Sequence, residues 1–259
     1  MPSFERIMPV AGAPCWVNLI AHDLHAAQSF YTAVMDWEFR DSSLGSNFSV
    51  AMAHGEPVAG IGSCSPGGPP AVWMPYFAVR DADETAGRVR ERGATLAIGP
   101  LKLGAGRAGI AADRDGAMFG FWEGPALAWS VGRGSAPARL DLQTRHAFEA
   151  AIFYAEVFDW AQPPGGCMVD YAQDHVVIQL AGHTVATLRG GGIETAPDPK
   201  IRPRWIVDFH VRDSEKAAAA AVDAGGESSA VPSPSLADSA KDAFIIRDPD
   251  GSLFTVSDA

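Results

Sequence analysis

Three residues in the second half of the chain have side chains suited to chemistry: Asp141, Asp208 and His210. Asp208 and His210 lie two positions apart, so in a β-strand both side chains point to the same face of the sheet. The strands predicted below place Asp141 on that face as well. Two carboxylates and an imidazole resemble the facial triad of metal sites, or they supply an acid and a base for proton transfer. The alternative is that Asp141 pairs with Arg139, or Asp208 with His210, inside a polar cleft.

A second group of residues, in the first half, is suited to binding. Strand alternation places one amide, one phenol and several large apolar side chains on a common face: Trp16, Asn18, Ile20, Met74, Tyr76, Ala78, Met118 and Trp122. Such a lining suits a planar or hydrophobic small molecule, with methionine as an adaptable wall. The alternative is that these side chains fill a closed core. The matching face in the second half is more polar, with these residues: Arg139, Asp141, Gln143, Asp208, His210 and Thr255.

The composition excludes several classes of partner. The 259 residues carry a formal net charge of −11, which argues against nucleic acid and anionic membranes as partners. No apolar stretch approaches the ~20 residues of a membrane span, and the N-terminus lacks the apolar core of a signal peptide. Cys15, Cys64 and Cys167 are too scattered for a disulfide framework or a zinc site. These features predict a cytoplasmic protein with reduced thiols.

An internal repeat organises the chain. Three segments recur in the same order, 123, 132 and 135 residues further on: 30–37 at 153–160, 77–81 at 209–213, and 113–116 at 248–251. The order is kept while the offset drifts, which indicates a duplication followed by small loop insertions.

Each half divides again into two units. A strand that ends at an aspartate leads into a helix, and short strands follow. Asp81 and Asp213 are good helix N-caps, Glu84 would complete a capping box with Asp81, and Gly93 and Gly225 are placed to end the two helices. The sequence therefore predicts four strand–helix–strand–strand–strand units, at about 12–66, 71–124, 136–190 and 203–259.

The units are expected to pair within each half. The segment from 125 to 135 is rich in glycine, proline and serine, which is typical of a linker. We therefore predict a domain over 1–124, a linker over 125–135 and a second domain over 136–259.

The sequence resembles the vicinal oxygen chelate superfamily, which includes glyoxalases, bleomycin-resistance proteins and extradiol dioxygenases. The resemblance rests on residues 17–24 with 29–31, on 76–81 and on 113–122, together with their second-half counterparts. It covers nearly the whole chain. It implies an α+β fold in which four βαβββ units pair into two glyoxalase-like domains, with cupped mixed sheets around a cleft and helices outside.

The resemblance also implies where a metal would be held. Enzymes of the superfamily bind a divalent metal through His, Glu or Gln on the first and last strands of each unit. The corresponding positions here are Trp16, Gly60, Met74 and Gly120 in the first domain, and Arg139, Thr187, Ile206 and Thr255 in the second. A thioether or a bare backbone is a poor ligand for such cations, and an arginine repels them. The usual metal site is therefore predicted to be lost, which disfavours isomerisation of the glyoxalase type and extradiol ring cleavage.

Two functions from different classes remain. The first is a metal-free protein of bleomycin-resistance type that binds or sequesters an aromatic, drug-like molecule, and it is tied to antibiotic resistance or biosynthesis. Its predicted ligand-binding residues are Trp16, Asn18, Met74, Tyr76, Met118, Trp122, Arg139, Asp141 and His210. The second is a glyoxalase-like lyase, isomerase or hydroxylase that uses Asp141, Asp208 and His210, with or without a divalent metal. A third hypothesis is that the protein takes up the product of another enzyme. The repeat is compatible with a monomer or a homodimer.

Overall fold

The succession of elements follows the repeat. The computed structural model describes residues 6–42, 44–64, 70–160, 166–190, 202–231 and 243–259. The first half forms β1 (Arg6–Ile7), β2 (Pro14–Ala21), α1 (Leu24–Met35), β3 (Glu38–Ser42), β4 (Gly45–Ala53), β5 (Glu56–Ser63), β6 (Val72–Val79), α2 (Ala82–Glu91), β7 (Thr95–Leu103), β8 (Gly106–Ala112), β9 (Met118–Glu123) and β10 (Ala126–Leu127). The second half forms β11 (Arg139–Gln143), α3 (Ala147–Phe158), β12 (Met168–Tyr171), β13 (His175–Leu180), β14 (His183–Arg189), β15 (Arg204–Val211), α4 (Ser214–Asp223), β16 (Glu227–Ala230), β17 (Ala243–Arg247) and β18 (Leu253–Asp258). The predicted α+β fold of four βαβββ units is confirmed.

The helix ends predicted from local sequence signals are present. Asp81 and Asp213 each accept a hydrogen bond at 2.9 Å from the backbone N–H three residues further on. The capping box is only half formed, because the Glu84 carboxylate accepts a hydrogen bond from an arginine of the same helix. Gly93 and Gly225 follow their helices at φ of +77° and +87°, values that glycine adopts without strain. Among the helices of the described residues, the longest of which have 12 residues, none has the length and hydropathy of a membrane span.

Two mixed sheets of eight strands have the same internal order. The first runs β3-β4-β5-β2-β6-β9-β8-β7 and the second runs β12-β13-β14-β11-β15-β18-β17-β16. In each of the four βαβββ repeats, the first strand pairs in parallel with the last strand. A parallel pair needs a long crossover, which the helix and the two intervening strands supply.

The chain divides by its contacts into two compact units, which combine the four repeats in a nested way. The inner unit comprises Met1–Trp16, Met74–Gly132 and Arg139–Trp205 and holds the two middle repeats. The outer unit comprises Val17–Trp73, Arg133–Ala138 and Ile206–Ala259 and holds the first and last repeats. Accordingly α2 packs against α3 in the inner unit, and α1 packs against α4 in the outer unit.

Each unit has the same buried hydrogen-bonded triad between a helix and its sheets. In the inner unit, the Tyr154 hydroxyl donates to Asp113 Oδ2 at 2.9 Å and accepts from Trp205 Nε1 at 3.0 Å. In the outer unit, the Tyr31 hydroxyl donates to Asp248 Oδ2 and accepts from Trp73 Nε1, both at 2.9 Å. The second oxygen of each carboxylate accepts backbone N–H groups of the following turn. The repeated Phe-Tyr segment therefore contacts the repeated Asp-x-Asp-Gly segment, once in each compact unit.

Burial shifts the titration of these triads. Desolvation raises the pKa of Tyr154 and of Tyr31 well above the usual value, and the neighbouring carboxylate adds to the effect. Desolvation also raises the pKa of Asp113 and of Asp248, although the hydrogen bonds that they accept act in the opposite direction. The aspartate charge is therefore held in place by its donors, of which the tyrosine hydroxyl is one.

Candidate ligand-binding site

The inner unit contains a group of aromatic rings on the sheet face opposite its helices. Along β2 the odd positions from Cys15 to Ala21 are buried and the even ones partly exposed, which places Trp16 on this open face. The Trp16 and Trp129 rings lie with centroids 5.9 Å apart at an interplanar angle of 55°. Tyr76 on β6 is in register with Gly120 on β9, and Trp122 follows Gly120 by two residues, so Tyr76 and Trp122 share one face of the sheet. We call Trp16, Tyr76, Trp122 and Trp129 the aromatic face.

Two glycines allow these rings to lie on the sheet. A Cβ added at Gly120 would collide with the Tyr76 ring, and one at Gly106 would collide with the Trp122 ring. Each ring therefore lies over a bare stretch of backbone. The Trp122 indole is also fixed by a 3.3 Å hydrogen bond from its Nε1 to the Pro125 carbonyl oxygen.

The predicted ligand-binding residues of this face differ in their access to solvent. Trp16, Met118 and Trp122 are half-buried, so part of each side chain is accessible to solvent. Tyr76 is 8% exposed and Met74 is fully buried, so Met74 supports the face from beneath. Trp129 was not identified from the sequence because it lies in the segment predicted as a linker, where a lone tryptophan among glycine, serine and proline was the available signal.

In the outer unit, Asn18 takes a similar role over another glycine. Asn18 is in register with Gly60 on the parallel strand β5. A Cβ added at Gly60 would collide with the Asn18 amide oxygen and with the Phe48 ring. The space above this glycine is therefore filled by an amide and a ring.

The polar residues of β11 lie in the inner unit. Asp141 is in register with Thr187 on β14, and its Oδ1 lies 3.8 Å from Arg189 Nε. Arg139 and Gln143 flank it on the same face and are half-buried. Arg189 is a site residue that the sequence reading missed, although it follows Thr187 by two residues and so shares its face.

Asp208 and His210 lie on β15 in the outer unit, in different surroundings. Asp208 is 1% exposed and accepts hydrogen bonds from Thr255 Oγ1 at 2.9 Å and from Ser257 Oγ at 3.0 and 3.2 Å. His210 is exposed and is in register with Ser257. The Asp208 carboxylate is thus engaged by two hydroxyl donors.

The residues at the family's metal-ligand positions do not fit a divalent cation. Gly60 and Gly120 offer no side chain, and the space above them is occupied. Thr255 donates its hydroxyl to Asp208. Within the described ranges, no group of three or more His, Cys, Asp or Glu side chains is arranged to hold a metal ion, and these ranges include Asp141, Asp208 and His210. The donor set therefore gives a metal no first coordination shell.

Comparison with known proteins agrees with this fold. Residues 14–121 match the profile of the Glyoxalase/Bleomycin resistance protein/Dioxygenase superfamily, and residues 139–257 match that of a Glyoxalase-like domain. A protein of Mycobacterium tuberculosis (strain CDC 1551 / Oshkosh) named "Putative glyoxylase CFP32" is 30% identical over 256 residues, which span 95% of this chain and 94% of that protein. The chain belongs to the glyoxalase/bleomycin-resistance/dioxygenase superfamily, with one glyoxalase-like match in each half.

A further relative is named for a biosynthetic pathway. The "Anthracycline biosynthesis protein DauV" of Streptomyces sp. (strain C5) is 28% identical over 235 residues, which span 83% of this chain and 82% of that protein.

Solved structures share the fold at low identity. The Mn(II)-bound glyoxalase from Novosphingobium aromaticivorans has a TM-score of 0.59 at 16% identity, covering 95% of this chain and 82% of its own. The homoprotocatechuate 2,3-dioxygenase of Brevibacterium fuscum, in complex with 3,4-dihydroxyphenylacetate, has a TM-score of 0.61 at 17% identity, covering 98% and 84%. These similarities concern the fold alone.

Proposed function

We propose that the protein binds and sequesters a planar, hydrophobic small molecule on the aromatic face, without a metal and without turnover. The observation that carries the proposal is the Tyr76 ring lying over Gly120. A position from which enzymes of this fold supply a metal ligand is here bare backbone under an aromatic ring. The buried Tyr76 ring supports a face on which Trp16 and Trp122 are the partly exposed rings.

The chemistry of the face supports an aromatic ligand. Trp16 and Trp122 are half-buried, so each presents ring surface while its remaining edge is held by the protein. Trp16 is braced by Trp129, and Trp122 by its bond to Pro125. Rings fixed in this way lose little conformational entropy when a planar molecule stacks on them. The net charge of −11 would additionally attract a cationic ligand at low ionic strength.

The relative named for anthracycline biosynthesis supports the same ligand class, because anthracyclines contain a planar polycyclic ring system. The relative named as a glyoxylase points instead to catalysis. The donor set described above favours binding over metal-dependent catalysis, so we assign a sequestering function related to antibiotic biosynthesis or resistance.

An anthracycline is the probe for this proposal. Titrating daunorubicin into the protein should quench tryptophan fluorescence with one-to-one stoichiometry, before and after treatment with EDTA. Trp16→Ala and Trp122→Ala should each weaken binding by about fivefold, since a lost aromatic contact costs on the order of 1 kcal/mol. Phe148→Ala is the matched control, because Phe148 is an exposed ring on α3 that stacks on Tyr171, away from the aromatic face.

The same titration distinguishes sequestration from catalysis. With protein far below ligand concentration, chromatography should recover the ligand unchanged at all times. Consumption in proportion to time would replace the proposal with an enzyme. Equal loss of affinity in Trp16→Ala and Phe148→Ala would remove the aromatic face as the site.

A further inference from the structure

Two cavities occupy corresponding places in the two units. The inner cavity has a volume of about 300 Å³ and lies where α3 ends beside the start of α2. The outer cavity has a volume of about 490 Å³ and lies where α1 ends beside the start of α4. The duplication relates them residue by residue: Asp159 corresponds to Asp36, and Arg88 to Ala220. A difference between the two cavities therefore reflects the residues that differ at corresponding positions of the repeat.

In the inner cavity a guanidinium satisfies the carboxylate at the helix end. Asp159 is the left-handed C-cap of α3, at φ +56°. Arg88 Nη1 lies 2.7 Å from Asp159 Oδ2, and its Nη2 lies 2.6 Å from Glu84 Oε1. These bonds raise the pKa of Arg88. A carboxylate is unfavourable at the negative end of a helix, and Arg88 offsets that cost.

The outer cavity keeps the carboxylate and lacks the guanidinium. Asp36 is the C-cap of α1, with the same φ of +56° and the same backbone bond four residues back, to the Thr32 carbonyl oxygen. The position of Arg88 is taken by Ala220, and that of Glu84 by Lys216, which pairs with Asp213 at 2.6 Å. Among the residues that the structure describes, nothing bonds to the Asp36 carboxylate. An exposed carboxylate at a helix C-terminus thus lines a cavity that lacks the guanidinium present in the inner unit.

We propose that the outer cavity binds an organic cation, an ammonium or guanidinium group on an apolar body, with the cation on Asp36. The charged group would take the place that the Arg88 guanidinium has in the inner unit. Apolar walls for the body are supplied by Met35, Val58 and Ala217, and the volume lies within the range of small-molecule sites.

Among the described residues, two cations line the outer cavity, Lys216 and Arg212, and Lys216 is already paired with Asp213. The counterpart of Arg212 is Arg80, which lines the inner cavity. In the inner unit an arginine at this place coexists with the Arg88–Asp159 pair. The site is separate from the aromatic face, so the proposal does not depend on the function assigned there.

Three cyclohexane probes of similar shape, whose saturated rings do not stack as planar aromatic molecules do, test the charge requirement by isothermal titration calorimetry on the full chain. They are cyclohexylmethylamine, which is a cation at pH 7, the neutral cyclohexylmethanol and the anionic cyclohexanecarboxylate. The amine should bind with one-to-one stoichiometry and about fivefold more tightly than the alcohol, as expected for an ion pair with an exposed carboxylate. The carboxylate probe should bind most weakly.

Variants locate the site. Asp36→Asn should lower the affinity for the amine to that for the alcohol, whereas Asp159→Asn, its counterpart in the inner unit, should leave it unchanged. Ala220→Arg should rebuild the pair of the inner unit, abolish amine binding and raise the melting temperature. Trp16→Ala should not affect amine binding, which separates this site from the aromatic face. Equal affinity for amine and alcohol, absence of amine binding, or amine binding unchanged in Asp36→Asn would overturn the proposal.

Discussion

Removing one hydroxyl group from the inner triad tests how much this buried contact contributes to the stability of the fold. Tyr154→Phe leaves the ring and deletes the oxygen that bonds Asp113 and Trp205. The Trp205 indole N–H loses its acceptor and one Asp113 oxygen loses a donor. Both groups stay inaccessible to water, since Trp205 is 1% and Asp113 is 7% exposed. Each buried group left without a partner costs about 1–3 kcal/mol, and relaxation recovers part of that. We expect a loss of about 2–4 kcal/mol in the free energy of unfolding.

The pH dependence gives this prediction a sign. Burial already raises the pKa of Asp113 in the folded protein, and the Tyr154 hydroxyl holds it down. In the variant that pKa rises further. A carboxyl whose folded pKa exceeds its unfolded pKa is most favourable below the unfolded pKa, and stability is lost as the pH rises through the folded value. The difference between Tyr154→Phe and the parent should therefore be larger at pH 7 than near pH 4.

Denaturant titrations followed by tryptophan fluorescence measure both effects, with two comparison variants. Tyr31→Phe removes the corresponding hydroxyl in the outer unit and should cost a similar amount. Tyr171→Phe makes the same chemical change at a tyrosine that is 53% exposed and should cost under about 0.5 kcal/mol. If Tyr154→Phe were no more damaging than Tyr171→Phe, or if its cost did not depend on pH, the triad would not have the energetic role assigned to it.

Three further outcomes follow from the burial and the geometry. Gly87→Ala in α2 adds a methyl that meets nothing within 4 Å, so it should stabilise the protein by about 0.5–1 kcal/mol in thermal melts; a lower melting temperature would contradict this. Gly120→Ala pushes a methyl into the neighbouring phenol ring and should cost about 1–3 kcal/mol and weaken binding of a planar ligand; unchanged stability and affinity would show that the ring does not rest on this glycine. Burial raises the pKa of Cys15 and Cys167 to about 12, so a thiol reagent at pH 8 should label the half-buried Cys64 first, as peptide mass spectrometry would show; equal rates would contradict this.

The parts of the fold that the sequence predicts correctly are those specified locally. The caps at Asp81 and Asp213 bond to backbone groups three residues away, so a short segment contains the whole interaction. Strand alternation likewise identifies the exposed face of β2. The partners of Tyr31 and Tyr154 lie far away in the chain, and the amphipathic pattern of a helix shows which face is buried without showing against what. The repeat revealed that the segments correspond, but not that they touch.

The candidate sites are harder to predict from the sequence, because each depends on a contact between two residues on different elements. Whether Asp159 and Asp36 differ depends on residues of another helix, Arg88 and Ala220. The need for glycine at position 120 is evident only from the Tyr76 ring that lies over it. A single residue type shows what cannot bind a metal, whereas the three-dimensional neighbours show what occupies the space instead.

The two halves of the chain differ in what occupies one pair of corresponding positions. Tyr76 and Gly120 are in register in the first sheet, and the duplication places Asp208 and Thr255 at the same two positions of the second. The first pair places an aromatic ring over bare backbone, and the second joins a carboxylate to a hydroxyl at 2.9 Å. Gly120 has no side chain and Thr255 donates its hydroxyl to Asp208, so neither position supplies the carboxylate or imidazole that a divalent cation prefers. Each of the two positions has a local partner in the folded protein, which supports the proposed metal-free binding function.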